Sequence, residues 1–206
     1  LGDVYKRQPV ESDILRPLPT DGDISQYVLM NYKQPFEYVK EGGDKGFHKK
    51  GEWAKAAYWI VQNSNLTAGE GGAAVDLAFK TKYGDGSDAG LALQTDWGFD
   101  NPKNDGKVYQ TSHLQKGKYK LTAHVYEYDG RGFIGYVAVC KGNEMANTSD
   151  IPSKSLANAS ISGTGDVVVD ISVEEPTDVV IGFVCTITVK QGRAKIDNFK
   201  LELVEQ

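Results

Sequence analysis

Residues 106–127 carry the pattern that most restricts the fold of this chain, because two alternating runs surround the turn Gln115-Lys116-Gly117. In the second run, apolar side chains fall on one side and polar ones on the other: Tyr119, Leu121, Ala123 and Val125 against Lys118, Lys120, Thr122 and His124. A period of two is that of a half-buried strand. The segment predicts a β-hairpin in an antiparallel sheet with one packed face and one wet face.

Similar runs follow one another from Tyr58 onward at the spacing of a β-sandwich. They are 58–63, 73–80, 90–95, 107–114, 118–127, 133–141, 156–162, 167–173, 179–190 and 194–204. A content of 23 glycines and 11 tyrosines in 206 residues suits such a loop-rich fold. We expect an all-β antiparallel sandwich of the jelly-roll type, with one short helix at 52–57. The apolar alternation of the last run slips at Asp197-Asn198, which predicts a β-bulge there.

Residues 1–26 are expected to lie outside the sandwich. The opening LGDVYKRQ, residues 1–8, resembles translated adaptor sequence and is interpreted as foreign to the protein. Residues 9–26 hold three prolines and no periodicity, which is typical of a linker. The predicted domain therefore spans 27–206, and a signal or lipid-attachment cysteine and further domains are expected upstream.

The charge pattern argues against two classes of partner. The net charge is −5 and the sequence contains no run of Lys or Arg, whereas nucleic acids and anionic membranes are bound mainly through basic patches. No apolar segment approaches the roughly 20 residues that cross a bilayer. We expect no nucleic-acid partner and no membrane insertion of this segment.

The two cysteines, Cys140 and Cys185, each lie in an apolar run. Two free, packed thiols are favoured, and a disulfide remains the alternative if the two strands are neighbours in register with Cα atoms within about 7 Å. Neither cysteine belongs to a metal-binding motif, and no cofactor is predicted. The acidic turn 84–88 is weakly compatible with Ca²⁺ and is better explained as an ordinary Asp/Gly turn.

A candidate ligand site follows from the direction of the strands. If they alternate in direction from Tyr58, the connections 64–72, 96–106, 128–132 and 174–178 share one end of the sandwich. The connections 81–89, 115–117, 142–155 and 191–193 then share the other end.

The first of these ends collects the residue types that recognise sugars. Aromatic rings cover the apolar face of a pyranose, while carboxylate, amide and guanidinium groups bind its hydroxyls. The predicted ligand-binding residues are Trp97, Asp100, Asn101, Tyr128, Asp129 and Arg131. In the competing interpretation, Trp97 only caps the sandwich, with Arg131 across its ring as a cation–π pair. Trp59 is expected in the core, and Trp53 at a groove or the sandwich edge.

The sequence offers little support for catalysis. His48, His113 and His124 lie in unrelated contexts, and no nucleophile, zinc or phosphate-binding motif occurs. Glu127 and Asp129 are a conceivable pair of glycosidase carboxylates, but neighbouring acids in a turn are usually only solvated. We therefore expect a protein that is not an enzyme.

Three segments together resemble a known family. They are GKVYQTSHLQKGKYKLTAHVYE at 106–127, NTSDIPSKSLANAS at 147–160 and IGFVCTITVKQGRAKIDNFKLEL at 181–203. They resemble a domain of unknown function found in surface lipoproteins of Gram-negative gut bacteria, similar to the galactose-binding-like jelly rolls that include many carbohydrate-binding modules. The resemblance covers about residues 27–204 and supplies no ligand motif.

This resemblance implies a function only by association. The expectation is a non-catalytic module that binds a polysaccharide or oligosaccharide, exposed outside the cell on an outer-membrane lipoprotein. The alternative is a spacer or protein-interaction domain of a surface protein that binds no glycan.

Overall fold

Thirteen strands form two stacked antiparallel sheets within residues 21–39, 53–62, 74–76, 90–94 and 103–206, the part of the chain that the computed structural model describes. In chain order they are β1 (Gly22–Asp23), β2 (Tyr38–Val39), β3 (Trp53–Ala56), β4 (Ile60–Gln62), β5 (Ala74–Asp76), β6 (Gly90–Gln94), β7 (Lys103–Leu114), β8 (Gly117–Asp129), β9 (Phe133–Lys141), β10 (Ala157–Ser160), β11 (Gly165–Val173), β12 (Thr177–Ile187) and β13 (Arg193–Glu205). The short helices are α1 (Ser25–Val28) and α2 (Ile151–Lys154), the latter preceded by a 3-10 turn at Thr148–Asp150.

The eight-stranded sheet has the order β11-β8-β13-β6-β5-β3-β2, with β1 also paired to β13. The five-stranded sheet has the order β10-β9-β12-β7-β4. Apolar side chains from both sheets, such as Leu121, Phe183 and Phe199, meet between them and are fully buried. The predicted antiparallel β-sandwich is thus confirmed.

The predicted hairpin at 106–127 is wrong. Strand β7 pairs with β12 and β4, whereas β8 pairs with β11 and β13, so the turn at Gln115 carries the chain from one sheet to the other. Alternation shows that each strand buries one face, but it does not say which strand supplies the backbone hydrogen bonds. Here the two apolar faces oppose each other across the core.

From β4 onward, successive strands do alternate in direction, and this places the connections at two ends. The Arg131 end holds the turn 130–132 and the connection 188–192, since Arg131 Nη2 donates to Gln191 Oε1 at 3.0 Å. The Lys116 end holds the turns 115–116 and 174–176, because Val173 pairs with Gly117 and Thr177 with Leu114. Two connections therefore lie at the opposite end from the one predicted for them. The connection 174–178 lies at the Lys116 end, and 191–193 lies at the Arg131 end. The chain also reverses direction at the link 161–164, between β10 and β11. When this reversal is included in the count of alternating connections, 174–178 and 191–193 fall at the ends where the structure places them.

The packed structure begins before the predicted boundary at Tyr27. Gly22 and Asp23 pair with Leu203 and Glu202 of β13, and Ile24 is 1% exposed in the core. Residues 22–26, which were assigned to the linker, are therefore part of the folded domain. The chain then forms α1 at Ser25–Val28.

The region of the first two tryptophans differs from prediction in one respect. Residues 53–56 form β3 and not a helix, because they pair with β5 and β2. Trp59 is 1% exposed, and its ring lies 5.2 Å from that of Phe199, so its predicted place in the core is confirmed. The side chain of Trp53 lies outside the described part of the structure.

The two cysteines are buried and free, as favoured from the sequence. Cys185 belongs to the core between the sheets, whereas Cys140 belongs to a second apolar cluster on the outer face of the five-stranded sheet, with Met145 and Ile151 of the 142–156 segment. Strands β9 and β12 are neighbours, but a disulfide cannot join opposite faces of a sheet.

Candidate functional site

A β-bulge decides which side chains of β8 reach the surface at the Arg131 end. Ile196 pairs with Val125 but Lys195 pairs with Glu127, so Tyr126 is an extra residue in β8. The extra residue reverses the alternation. Glu127 and Asp129 would otherwise continue the apolar face of the strand, and they lie instead on the outer face of the sheet.

The predicted bulge in β13 is confirmed and sits beside the first one. Ile196 pairs with Val125 and Asn198 with His124, which leaves Asp197 as the extra residue. The two bulges lie on opposite strands, and beyond them β8 and β13 are again in register, with Arg193 opposite Asp129. This register brings two acids and two bases onto one face.

Asp129 and Arg131 form the exposed part of this arrangement. The Arg131 guanidinium donates from Nε to Asp129 Oδ1 at 2.9 Å and from Nη2 to Oδ2 at 2.5 Å. These side-chain hydrogen bonds are the main reason why the pKa of Asp129 is lowered from 3.8 to about 2. The Arg131 side chain is 59% exposed and that of Asp129 only 18%.

Arg193 links Asp129 to a more buried ion group. Its Nε donates to Glu127 Oε1, its Nη1 donates to the carbonyl of Gln191 at 3.0 Å, and Nη1 lies 3.6 Å from Asp129 Oδ2. Glu127 Oε2 in turn lies 3.0 Å from Lys195 Nζ, whose side chain is 6% exposed. We call Glu127, Asp129, Arg131, Gln191, Arg193 and Lys195 the rim cluster. Its charges alternate from the exposed Arg131 inward to the buried Lys195.

Tyr128 does not face the same way as its two neighbours. Its ring packs edge-on against Phe133, with 5.5 Å between ring centroids, and contacts the core. A Cβ on Gly130 would lie 2.7 Å from Tyr128 Oη, so this turn has room for the ring only because residue 130 is glycine. The structure brings Asp129 and Arg131 together and puts Tyr128 on the inner face, where it supports the turn.

The other predicted site residues, Trp97, Asp100 and Asn101, lie outside the described residues. The described strands on either side of them do reach the Arg131 end. Gln94 at the end of β6 pairs with Arg193, and Lys103 at the start of β7 pairs with Ile187. The chain therefore leaves and re-enters the described structure at the same end as the rim cluster.

Three residues of the rim cluster were not among the predicted site residues: Gln191, Arg193 and Lys195. Counting the 161–164 link as a turn would have placed 191–193 beside 128–132. Nothing in the sequence marks Lys195, because its burial depends on the pairing of β13 with β8 and on Ala92 opposite it in β6.

The rim cluster is poorly suited to glycosidase chemistry. A general acid needs a raised pKa, whereas that of Asp129 is lowered, and Glu127 is engaged by both Arg193 and Lys195. His113 and His124 are each bonded to an aspartate at 2.7 Å, at Asp178 and Asp197 respectively.

Within the described ranges, no group of three or more His, Cys, Asp or Glu side chains is arranged to hold a metal ion. The acidic turn 84–88 falls outside these ranges. No helix in the described part of the chain is long and apolar enough to cross a bilayer.

Solved structures with a similar fold include sugar-binding domains and an adhesin. TmCBM61, solved in complex with β-1,4-galactotriose, is 15% identical with a TM-score of 0.38, over 69% of this chain and 86% of that chain. An adhesin domain of Lys-gingipain from Porphyromonas gingivalis is 12% identical with a TM-score of 0.44, over 70% and 91%. The xylan-binding domain CBM22-1 from Paenibacillus barcinonensis is 12% identical with a TM-score of 0.37, over 87% and 96%. These distant likenesses concern the fold alone.

Sequence comparison assigns the chain to a family more firmly. No curated protein matches it. Residues 30–182 match the family described as domain of unknown function DUF5013. This match covers most of the two sheets, from the segment after α1 to the middle of β12. The chain therefore belongs to the DUF5013 family.

Proposed function

We propose that this domain is a non-catalytic carbohydrate-binding module of a bacterial lipoprotein exposed on the outer membrane. The observation that carries the proposal is the rim cluster: a bidentate Asp129–Arg131 pair joined to Gln191 at one end of a rigid sandwich. Side chains held in one geometry by their own hydrogen bonds lose little entropy when a ligand arrives.

The chemistry of the cluster suits a saccharide. Guanidinium and amide N–H groups donate in fixed directions to sugar oxygens, and the exposed Arg131 is the first of them that a ligand meets. Trp97 is proposed as the ring that covers the apolar face of the sugar, with Asp100 and Asn101 as further polar contacts. Tyr128 supports the turn from below.

Binding at one such shallow site is expected to be weak. A polymeric glycan presents the same unit many times, and a surface protein presents many copies of the domain, so the effective affinity rises by avidity. This requires no conformational change and no cofactor.

Affinity electrophoresis of the whole chain in gels that contain a panel of soluble polysaccharides tests the proposal. At least one polysaccharide is expected to retard the domain, and Trp97→Ala and Arg131→Ala are each expected to reduce that retardation by roughly tenfold in affinity. The thermal unfolding midpoint of Trp97→Ala is expected to stay close to that of the wild type. Absence of retardation across neutral and charged polysaccharides would refute the proposal.

A structural spacer is the second candidate function. It is favoured by the observation that the carboxylate oxygens of Asp129 already accept hydrogen bonds from Arg131 within the protein. In that case the rim cluster only closes the end of the sandwich. Trp97→Ala then lowers the unfolding midpoint, and both variants leave gel mobility unchanged.

A further inference from the structure

The hydrogen-bond acceptors of the rim cluster are already in use. Both carboxylate oxygens of Asp129 accept from Arg131, and Glu127 Oε1 accepts from Arg193. Glu127 Oε2 is buried beside Lys195 Nζ. Gln191 accepts from Arg131 at its side-chain oxygen and from Arg193 at its carbonyl, each at 3.0 Å. A ligand therefore finds Asp129 fully occupied and Glu127 mostly buried, and the second lone pair of Gln191 Oε1 is the exposed acceptor that remains in this cluster.

Donors remain at the exposed end. A guanidinium has N–H groups only, so Gln191 must turn Oε1 toward Arg131, and its Nε2 amide is left as a donor. Within the described residues, neither Gln191 Nε2 nor Arg131 Nη1 donates to a protein acceptor. Both nitrogens belong to side chains that already hold each other in place.

The cluster also carries an excess of positive charge. Among the described side chains of the cluster, three cations, Arg131, Arg193 and Lys195, face two carboxylates, Glu127 and Asp129, an excess of one positive charge in a chain whose net charge is −5. The most exposed member is the cation: the Arg131 side chain is 59% exposed, against 18% for Asp129 and 20% for Glu127.

We infer that this site prefers an anionic sugar, one that bears a carboxylate or a sulfate ester, over a neutral one. A carboxylate or sulfate oxygen only accepts hydrogen bonds, which matches Arg131 Nη1 and Gln191 Nε2. A neutral hydroxyl also donates, and most acceptors of the described cluster are already engaged within the protein. The inference rests on the proposed function and names the class of sugar that the same site takes.

Pairs of polysaccharides that share a sugar backbone but differ in charge test this preference. Polygalacturonate is compared with its fully methyl-esterified form, and dextran sulfate with dextran, by affinity electrophoresis of the whole chain at physiological salt. The first pair reports on a carboxylate and the second on a sulfate. We expect the anionic member of at least one pair to bind on the order of tenfold more tightly, the usual gain from a hydrogen bond to a charged group.

Arg131→Gln is expected to remove this preference, because it deletes the exposed cation. Lys118→Gln is the matched control: Lys118 lies at the other end of β8, is 62% exposed, and bonds to Glu205 at 2.6 Å. Both variants change the net charge equally, so Lys118→Gln is expected to keep the preference. Gln191→Glu, which replaces the donor amide with a second acceptor, is expected to reduce the preference independently of Arg131→Gln.

Four outcomes overturn the inference. Equal binding of the charged and neutral members, or an unchanged preference in folded Arg131→Gln and Gln191→Glu, refutes it while leaving carbohydrate binding in place. An equal loss in Lys118→Gln also refutes it, because the effect then comes from overall charge. Absence of binding to both members of both pairs and to every other polysaccharide refutes the proposed function as well.

Discussion

The two ends of strand β8 carry ion pairs that look alike and differ in their surroundings. At one end Arg131 approaches Asp129 to 2.5 Å, and at the other Lys118 approaches Glu205 to 2.6 Å. The two cations are similarly exposed, at 59% and 62%. The acids differ, since Asp129 is 18% exposed and Glu205 is 62% exposed.

This difference comes from the neighbours. Asp129 lies beside Arg193, which continues through Glu127 to the buried Lys195, whereas Glu205 is the last residue of β13. An exposed pair in water is screened and is held by two mobile side chains, so it contributes little. A pair inside a network has its geometry set by other residues. Neither the pair distance nor the exposure of the cation reveals which case applies.

The sharpest test of this comparison removes the charge at the centre of the network. Glu127→Gln keeps the size of the side chain but removes the carboxylate that neutralises Arg193 and the buried Lys195. We expect the free energy of unfolding to fall by about 2–3 kcal/mol, because a buried cation loses its counter-charge. Urea denaturation followed by tryptophan fluorescence measures this. A loss no larger than that of Glu205→Gln would show that the network is no stronger than a surface pair.

The pH dependence of stability distinguishes the same two ends more finely. The pKa of Asp129 is lowered from 3.8 to about 2 in the folded protein, mainly by hydrogen bonds from Arg131. A carboxyl group whose pKa is lower in the folded protein than in the unfolded chain stabilises the fold at pH values above its unfolded-state pKa. This contribution is lost as the pH falls from about 4 through 2. The thermal unfolding midpoint of the wild type is therefore expected to lie above that of Asp129→Asn. This difference is expected to be largest at pH 5–7 and to shrink between pH 4 and pH 2.

The control for this pH experiment is Asp178→Asn, which removes a carboxylate that is 81% exposed and bonded to His113. At pH 5–7 its thermal unfolding midpoint is expected to differ less from wild type than that of Asp129→Asn, because its carboxylate is exposed. A gap between wild type and Asp129→Asn that stays constant over this range would contradict the role given to Arg131.

The smallest effect is expected at the Lys116 end. Glu205→Gln removes the partner of Lys118, which lowers the pKa of that lysine toward its ordinary value, because the hydrogen bond from Lys118 to Glu205 is what raises it. The thermal unfolding midpoint at physiological salt is expected to stay within about 1 °C of wild type, since this pair is exposed and screened. A shift equal to that of Glu127→Gln would mean that the two ends do not differ as described.

Local pattern predicted much of the fold. Alternation located most of the long strands, and the slip at Asp197 located a β-bulge, because both depend on which side of one strand is apolar. Trp59 and the free, buried cysteines were also predicted, since large apolar side chains and thiols in apolar runs are usually buried. The helix at 52–57 was wrong, because pairing with neighbouring strands overrides weak local preference.

The candidate site was predicted in part. Asp129 and Arg131 are near each other in sequence, and their pairing needs only a turn. Gln191 and Arg193 come to the same place from about 60 residues away along the chain, so a single miscounted turn was enough to hide them. The predicted contribution of Trp97, Asp100 and Asn101 stays a prediction.

The amino-acid sequence by itself determined that this chain forms antiparallel strands with one buried face each, because the period of apolar residues is a local property. Tertiary structure alone decided that β7 and β8 lie in different sheets, and that the bulge at Tyr126 turns Glu127 and Asp129 outward toward Arg193 and Lys195. The physical reason is that a strand's backbone hydrogen bonds can be satisfied by any neighbour of matching register, and the choice among neighbours is made by packing of the whole core.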